Sequence, residues 1–297
     1  MDMKARRISL IAVTLVAVLA FPKWVAAQDQ VARGEYLFNT AGCAGCHTDS
    51  KNNGALLAGG RELKTPFGTY YGPNITADPT HGIGTWSDED FIRALRDGIS
   101  PDGNHYFPVF PYTSFTKMTD ADMRTLKAYI FSLPPVAKPD IPHDINFPFG
   151  FRFTMFFWKL LFFDKGPYTP PPGATPEVAR GGYIAEALAH CGECHTPRNM
   201  LGAVDQSQKF AGLAHGPDGD TVPNITPHDK TGIGNWTDDE LVTLFRDGEM
   251  PLGDEVDGGM AEVVRNGTSK LTEQDLTALI AYLRSVSAIE NDVFHTH

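Results

Sequence analysis

The pentapeptide Cys43-Ala44-Gly45-Cys46-His47 returns as Cys191-Gly192-Glu193-Cys194-His195, and the two copies use all four cysteines of the 297-residue chain. C-x-x-C-H is the spacing at which a chain attaches c-type haem. Two thiols separated by two residues each add to one vinyl group of the porphyrin. The histidine that follows lies beneath the iron and ligates it through a ring nitrogen. A lone Cys-x-x-Cys also serves zinc and redox sites, but here both copies carry histidine at the next position and both sit at the same place in a longer repeat. The motif predicts two covalently bound haem c groups, held by Cys43, Cys46, Cys191 and Cys194, with His47 and His195 as iron ligands. No thiol is left for a disulfide framework, so a large flat apolar body must supply much of each core.

Around the motifs the chain is written twice. Arg33-Gly34-Glu35-Tyr36 recurs as Arg180-Gly181-Gly182-Tyr183, a shift of 147, and Cys43 recurs at Cys191, a shift of 148. Pro73-Asn74-Ile75-Thr76 and Gly82-Ile83-Gly84-Thr85-Trp86 recur as Pro223-Asn224-Ile225-Thr226 and Gly232-Ile233-Gly234-Asn235-Trp236, both shifted by 150. Arg96-Asp97-Gly98 and Ala128-Tyr129 recur as Arg246-Asp247-Gly248 and Ala281-Tyr282. This predicts an all-α fold of two tandem class I cytochrome c domains related by duplication, residues 28–133 and 177–290, joined by a linker over 134–176.

Each copy reads as a first helix (31–40 and 177–189), the attachment motif, a Gly/Pro-rich loop and two further helices. Ser87 with Asp90, and Thr237 with Glu240, have capping-box spacing, and Gly98 and Gly248 stand where a C-terminal cap glycine belongs. Thr119 with Asp122, and Thr272 with Asp275, open the last helices in the same way, and no strand pattern is evident. The linker holds a run from Phe147 to Phe163 whose only basic residues are Arg152 and Lys159. It fits a membrane-surface helix or a partner-docking face, and better an aromatic plug that locks the domains together and holds two haems at a fixed separation. The Asn-Ile-Thr loops suit either a turn or, through Asn74 and Asn224, hydrogen bonds to haem propionates. Trp86 and Trp236 read as haem-packing residues, and His81, His143, His190, His215, His228, His295 and His297 as solvated surface histidines.

At the N-terminus, Lys4, Arg6 and Arg7 precede an apolar stretch from Ile8 to Phe21 and the small-residue site Val25-Ala26-Ala27. Residues 1–27 have the form of a secretory signal. The expectation is a periplasmic protein, since c-type haem is attached outside the cytoplasm. A formal net charge of −11 argues against nucleic acid as a partner and suits docking to a basic patch.

The sixth iron ligand is less uniform. Met260, in Gly258-Gly259-Met260, lies 12 residues before the Thr272 cap and is the candidate at the second haem, with Met250 as the alternative. Met260 follows Trp236 by 24 residues, and the same step from Trp86 reaches Phe110, which cannot ligate iron. For the first haem Met118 is the leading candidate, His105 would give a bis-histidine haem of lower potential, and an open sixth position is the third option.

The order of these motifs, with Cys191 to Asn199 the most specific stretch, resembles the diheme cytochrome c proteins. These are related to the cytochrome c subunit of bacterial membrane-bound alcohol, aldehyde and gluconate dehydrogenases. The resemblance implies single-electron transfer from a periplasmic dehydrogenase to a downstream cytochrome, oxidase or quinone, with peripheral membrane association open to it and no catalytic side chain. It departs from those subunits in having two attachment motifs rather than three, no C-terminal apolar run of membrane length, and Val109-Phe110-Pro111-Tyr112 where they typically carry Met before Pro-Tyr. That last departure keeps a second reading, a haem enzyme of peroxidase or thiosulfate dehydrogenase type acting at the first haem.

Overall fold

The computed structural model describes residues 28–216 and 219–294. The signal read in residues 1–27 lies outside them, as do His295 and His297. The first domain carries helices α1 (28–40), α2 (Cys43–His47), α3 (Asp88–Asp97), α4 (Tyr112–Phe115) and α5 (Asp120–Ser132). The linker contributes α6 (Thr154–Phe162). The second domain carries α7 (Pro176–Tyr183), α8 (Gly192–His195), α9 (Asp238–Asp247), α10 (Gly258–Asn266) and α11 (Glu273–Ser285).

The repeated Arg-Gly-x-Tyr marks where the first helix of each domain meets the last. A Cβ on Gly34 would stand 2.5 Å from the Thr125 carbonyl oxygen of α5, and one on Gly181 would stand 1.8 Å from the Ala278 carbonyl oxygen of α11. Only glycine lets the backbones approach so closely. The capping boxes predicted at Ser87 and Thr237 are complete, and Gly98 and Gly248 close α3 and α9 at φ of 59° and 80°. Thr119 and Thr272 cap α5 and α11 through their side chains, but the acids three residues on, Asp122 and Asp275, are turned away to bind elsewhere.

One extra residue separates Tyr183 from Cys191 compared with Tyr36 and Cys43, eight against seven. The chain absorbs it in a π-helical turn over Ile184–Leu188 that continues α7, with the Ala189 amide donating to the Ile184 carbonyl at 2.8 Å. Such turns add a residue without breaking a helix.

Strands were not expected from the sequence, yet a small antiparallel sheet forms in the order β1 (Glu62–Thr65), β2 (Gly68–Tyr71), β3 (Asp144–Ile145). The β1–β2 hairpin pairs Thr65 with Gly68 around Pro66-Phe67, and Gly68 adopts φ of 127°. Strands of four and two residues are too short to display an alternating pattern. The sheet brings the linker beside the loop that follows the first attachment motif.

Buried apolar side chains of both domains, among them Leu37, Met118 and Met123 of the first and Leu188, Leu276 and Leu279 of the second, belong to one continuous core. Reciprocal polar contacts join the domains above it. Tyr36 donates to Asp275 at 2.5 Å, where Arg180 also bonds at 2.8 and 2.6 Å. Tyr183 donates to Asp122 at 2.6 Å, which Arg33 approaches at 3.5 Å. Each repeat thus hands its tyrosine to the other repeat's helix cap. Burial and the facing carboxylates push both phenols up to about 12, so they remain donors. A second knot buries Glu186 between Lys117 and Lys209, each at 2.6 Å, with Tyr282 donating to the same carboxylate.

The linker is only in part the plug expected of it. Trp158 is buried against Tyr112 and donates its indole N–H to the Leu201 carbonyl of the second domain at 2.9 Å. Phe153, Phe157, Leu160 and Leu161 are instead well exposed, at 66%, 59%, 69% and 71%. Among the described residues no helix is long and apolar enough to cross a membrane.

Candidate haem-attachment sites

A short helix carries each attachment motif, so one turn brings both thiols and the histidine to one side. Cys43, Cys46 and His47 line a cavity of about 520 Å³ in the first domain, walled by Ile83, Trp86, Leu95 and Leu126. That volume lies within the roughly 300–1,000 Å³ of small-molecule sites. Burial pushes the Cys43 and Cys191 thiols up to about 12 and the Cys194 thiol up to about 11, and it raises Cys46 as well. These are protonated thiols, not reactive thiolates. Among the described residues no group of three or more His, Cys, Asp or Glu side chains is placed to hold a metal ion. A porphyrin brings its own four nitrogens and needs from the chain only what is present: two thiols, an axial histidine and an apolar enclosure.

The repeated Pro-Asn-Ile-Thr loop has a role that the sequence did not disclose. His47 Nδ1 is 2.8 Å from the Pro73 carbonyl oxygen, and His195 Nδ1 is 2.8 Å from that of Pro223. A carbonyl only accepts, so the proton sits on Nδ1 and Nε2 is left with a free lone pair, as a metal-ligating imidazole requires. Burial lowers the pKa of both histidines, opposed by that hydrogen bond. Asn74 and Asn224 hold the loop rather than a propionate. The Asn74 amide donates to the Val136 and Lys138 carbonyls at 2.8 and 2.9 Å, and that of Asn224 to Ile289 at 2.7 Å; their oxygens accept from Thr76 and Thr226. The Asn-x-Thr pair thereby ties the loop beneath the histidine to the chain that follows the last helix.

The register of the two domains bears on the sixth ligand. Tyr106 N–H donates to the Gly98 carbonyl at 2.7 Å, and Val256 N–H to that of Gly248 at 2.8 Å, an equivalence at an offset of 150. At that offset Phe110 stands where Met260 stands. Phe110 lines the first cavity. Met260 is the third residue of α10 and packs, half-buried, against the core, as does Met250. Met118 does not line the cavity. It is fully buried immediately before the Thr119 cap, with Met123 four residues beyond that cap, and these are the two positions of a hydrophobic staple. Leu271 and Leu276 flank the Thr272 cap in the same way. His105 also lies off the cavity wall, with Nδ1 3.1 Å from Lys159 Nζ. No methionine lines the cavity.

Three histidines read as surface residues are cavity residues instead: His81, His143 and His190. His190 belongs to the second domain and precedes Cys191, where the first domain has Gly42. It adopts φ of 41°, stacks edge-on against Phe115 at 5.5 Å and points Nε2 toward the Ala41 carbonyl at 3.4 Å. Glu193, inside the second motif, accepts from Thr113 and Ser114 of the first domain at 2.7 and 2.9 Å. Burial alone would raise its pKa, but Arg198 at 2.5 Å and the hydroxyl donors hold it below the usual range. The second attachment motif therefore sits directly against the first domain.

Two segments of the chain, residues 31–134 and 178–287, match the cytochrome c family model. The chain is 44% identical over 265 residues to a diheme cytochrome c-type protein of Cereibacter sphaeroides, covering 88% of this chain and 87% of that one. It is 40% identical over 260 residues to the fructose dehydrogenase cytochrome subunit of Gluconobacter japonicus and 36% identical over 269 residues to the gluconate 2-dehydrogenase cytochrome c subunit of Pantoea cypripedii. Each alignment takes in 87% of this chain but only 53% and 60% of those subunits. With two attachment motifs in tandem and these matches over each, the chain belongs to the cytochrome c family, as a diheme-type member related to the cytochrome c subunits of dehydrogenase complexes.

Proposed function

We propose that the chain carries single electrons in the periplasm from a dehydrogenase to a downstream cytochrome, oxidase or quinone, as a subunit or dedicated partner of that dehydrogenase. The observation that carries the reading is the contact of the second attachment motif and its flank with the first domain: His190 lines the first cavity, and Glu193 is anchored on Thr113 and Ser114. Electron transfer between two sites needs short, fixed separation, and a packed interface that includes a side chain of the second motif supports that reading. Cys43 and Cys46, and Cys191 and Cys194, would hold the haems by thioether bonds, with His47 and His195 as axial ligands. When bound, the haems supply one-electron iron chemistry. The chain supplies the histidine tautomer, the apolar enclosure and the rigid spacing, and no side chain has to act as acid or base.

Met260 is the sixth ligand that the register supports at the second haem. At the first, the geometry favours a face covered by Phe110 without methionine sulfur, which leaves Met118 to its core position. That feature also sustains the alternative of a catalytic first haem. The uncharged outer face of α6 is the surface suited to peripheral membrane association, since Lys159 is turned inward onto the Asp97 and Gly98 carbonyls at 2.6 and 2.8 Å.

The test uses the haem-loaded protein and a dehydrogenase that co-purifies with it from periplasm and membranes. Substrate-dependent reduction of both haems is the expected result. Turnover of peroxide or thiosulfate by the isolated protein, with rapid cyanide binding and no reduction by a dehydrogenase, would replace this reading with the enzymatic one.

A further inference from the structure

The linker adds to the first cavity a cation that the repeat does not contain. Arg152 lines the cavity, half-buried, with Nη1 donating to the His105 carbonyl at 3.0 Å and its guanidinium 4.8 Å from the Phe107 ring centroid. It forms no ion pair with any carboxylate among the described residues. The one acid on the same wall, Asp140, is engaged by the Asn74 N–H at 2.6 Å. A half-buried guanidinium with one carbonyl and one ring for partners has donors to spare and an uncompensated charge, a costly arrangement unless an anion completes it.

Other donors gather at the same end. Tyr70 and Tyr106 line the cavity, and their hydroxyls have no hydrogen-bond partner among the described residues. Arg152 acts electrostatically on both phenols and on His143. The ring of His143 lies 5.3 Å from that of Tyr70, and its Nδ1 accepts from the Tyr71 N–H at 3.2 Å, so its Nε2 carries the proton. A guanidinium, two phenols and an imidazole N–H thus stand at one end of a cavity otherwise walled by apolar side chains. The class of ligand such an end receives is a carboxylate.

We propose that Arg152, with Tyr70, Tyr106 and His143, receives the carboxylates of the haem attached at Cys43 and Cys46. The assignment rests on the haem-binding reading above. It makes the linker a part of the first site, and in the second domain the 150-residue offset places Asp220 and Val256 at the positions of Tyr70 and Tyr106. The two haems therefore differ in charge environment. A guanidinium beside the first favours its ferrous state, which carries one less positive charge, and so raises its potential relative to the same site without the cation.

The experiment is a spectroelectrochemical titration of the haem-loaded full chain, with resonance Raman spectra of the propionate deformation bands. Arg152→Gln is expected to lower one of the two midpoints, leave the other in place and shift the propionate band of one haem. Arg152→Lys, which keeps the charge, is expected to restore most of the midpoint. Unchanged midpoints and bands in Arg152→Gln, or an equal shift of both haems, would overturn the assignment. If Arg152→Gln fails to retain two haems, Tyr106→Phe takes its place, because it removes only a hydroxyl; a one-haem band shift is expected, and an unchanged band overturns the proposal. Haem content of the unsubstituted protein is measured in parallel. Fewer than two haems there would sink the underlying functional reading, whereas two haems with an insensitive Arg152 would sink this assignment alone.

Discussion

A methionine in this chain has two possible fates, and position decides between them. Met118 is enclosed in the core before a helix cap, where Leu271 does the same work in the other domain. Met260 stands on the register position that Phe110 fills beside the first cavity. Met118→Leu is therefore expected to leave the ferrous spectrum and carbon monoxide affinity of both haems unchanged and to cost under about 1.5 kcal/mol, as volume-conserving core swaps do. Met260→Leu is expected to open one haem to carbon monoxide and to lower its potential, since a thioether ligand raises it. Carbon monoxide titration of the two variants checks both; a spectral change in Met118→Leu alone would return the sixth-ligand role to Met118.

Among elements, the crossing of α7 on α11 has the least tolerance. An added Cβ on Gly181 meets a backbone carbonyl oxygen at 1.8 Å and the Tyr282 Cβ at 2.8 Å, so neither neighbour can swing aside. Gly181→Ala is expected to destabilise the second domain by about 3 kcal/mol or more, at or beyond the upper end for overpacking. Gly259→Ala is the control: it sits in α10 with open space where a Cβ would go and should be neutral or stabilising by up to about 1 kcal/mol. Urea midpoints of the two haem-loaded variants check the contrast, and equal midpoints would contradict it.

For the whole molecule, docking of the two domains depends on buried charge. Burial alone would raise the Glu186 pKa, but Lys117 and Lys209 pull it down to about 2 from an ordinary 4.5. Lys209, lowered by its own burial, gains less from the pair. A carboxylate whose folded pKa is depressed adds stability that is fully present above the unfolded value and lost as pH falls through the folded one. The contribution should fade between about pH 4.5 and about pH 2. Glu186→Gln is expected to cost about 1–3 kcal/mol at neutral pH, because two half-buried ammonium groups lose their charged partner, and to flatten acid unfolding across that window. Thermal melts from pH 7 to pH 2 check it. An unchanged acid limb would place the pH sensitivity of the interface elsewhere, with Asp275 and Glu193, both also depressed, the next groups to test.

The attachment motifs, the four helix caps, the repeated order of motifs and the Phe110-for-Met260 exchange were all legible in the amino-acid order. Each depends on residues within a few positions of one another, or on spacing that repeats, and local hydrogen bonding and covalent chemistry act over that range. What stayed hidden depends on who meets whom across the chain. Asp122 and Asp275 have the spacing of capping-box acids, yet they serve the tyrosine of the opposite repeat, because packing brings a better donor than the helix end. His190 reads as a surface residue beside a loop, yet the docked domains turn it into a wall of the other domain's cavity. Pro73 and Pro223 act through backbone carbonyls, which no side-chain pattern reports. Arg152 looks like one cation in an aromatic run until the β-sheet folds the linker back and sets its guanidinium inside the first cavity. The sequence determined what each domain is made to hold; how two such domains share one core, and which long-range side chains complete each site, followed from burial and electrostatics between segments far apart in the chain.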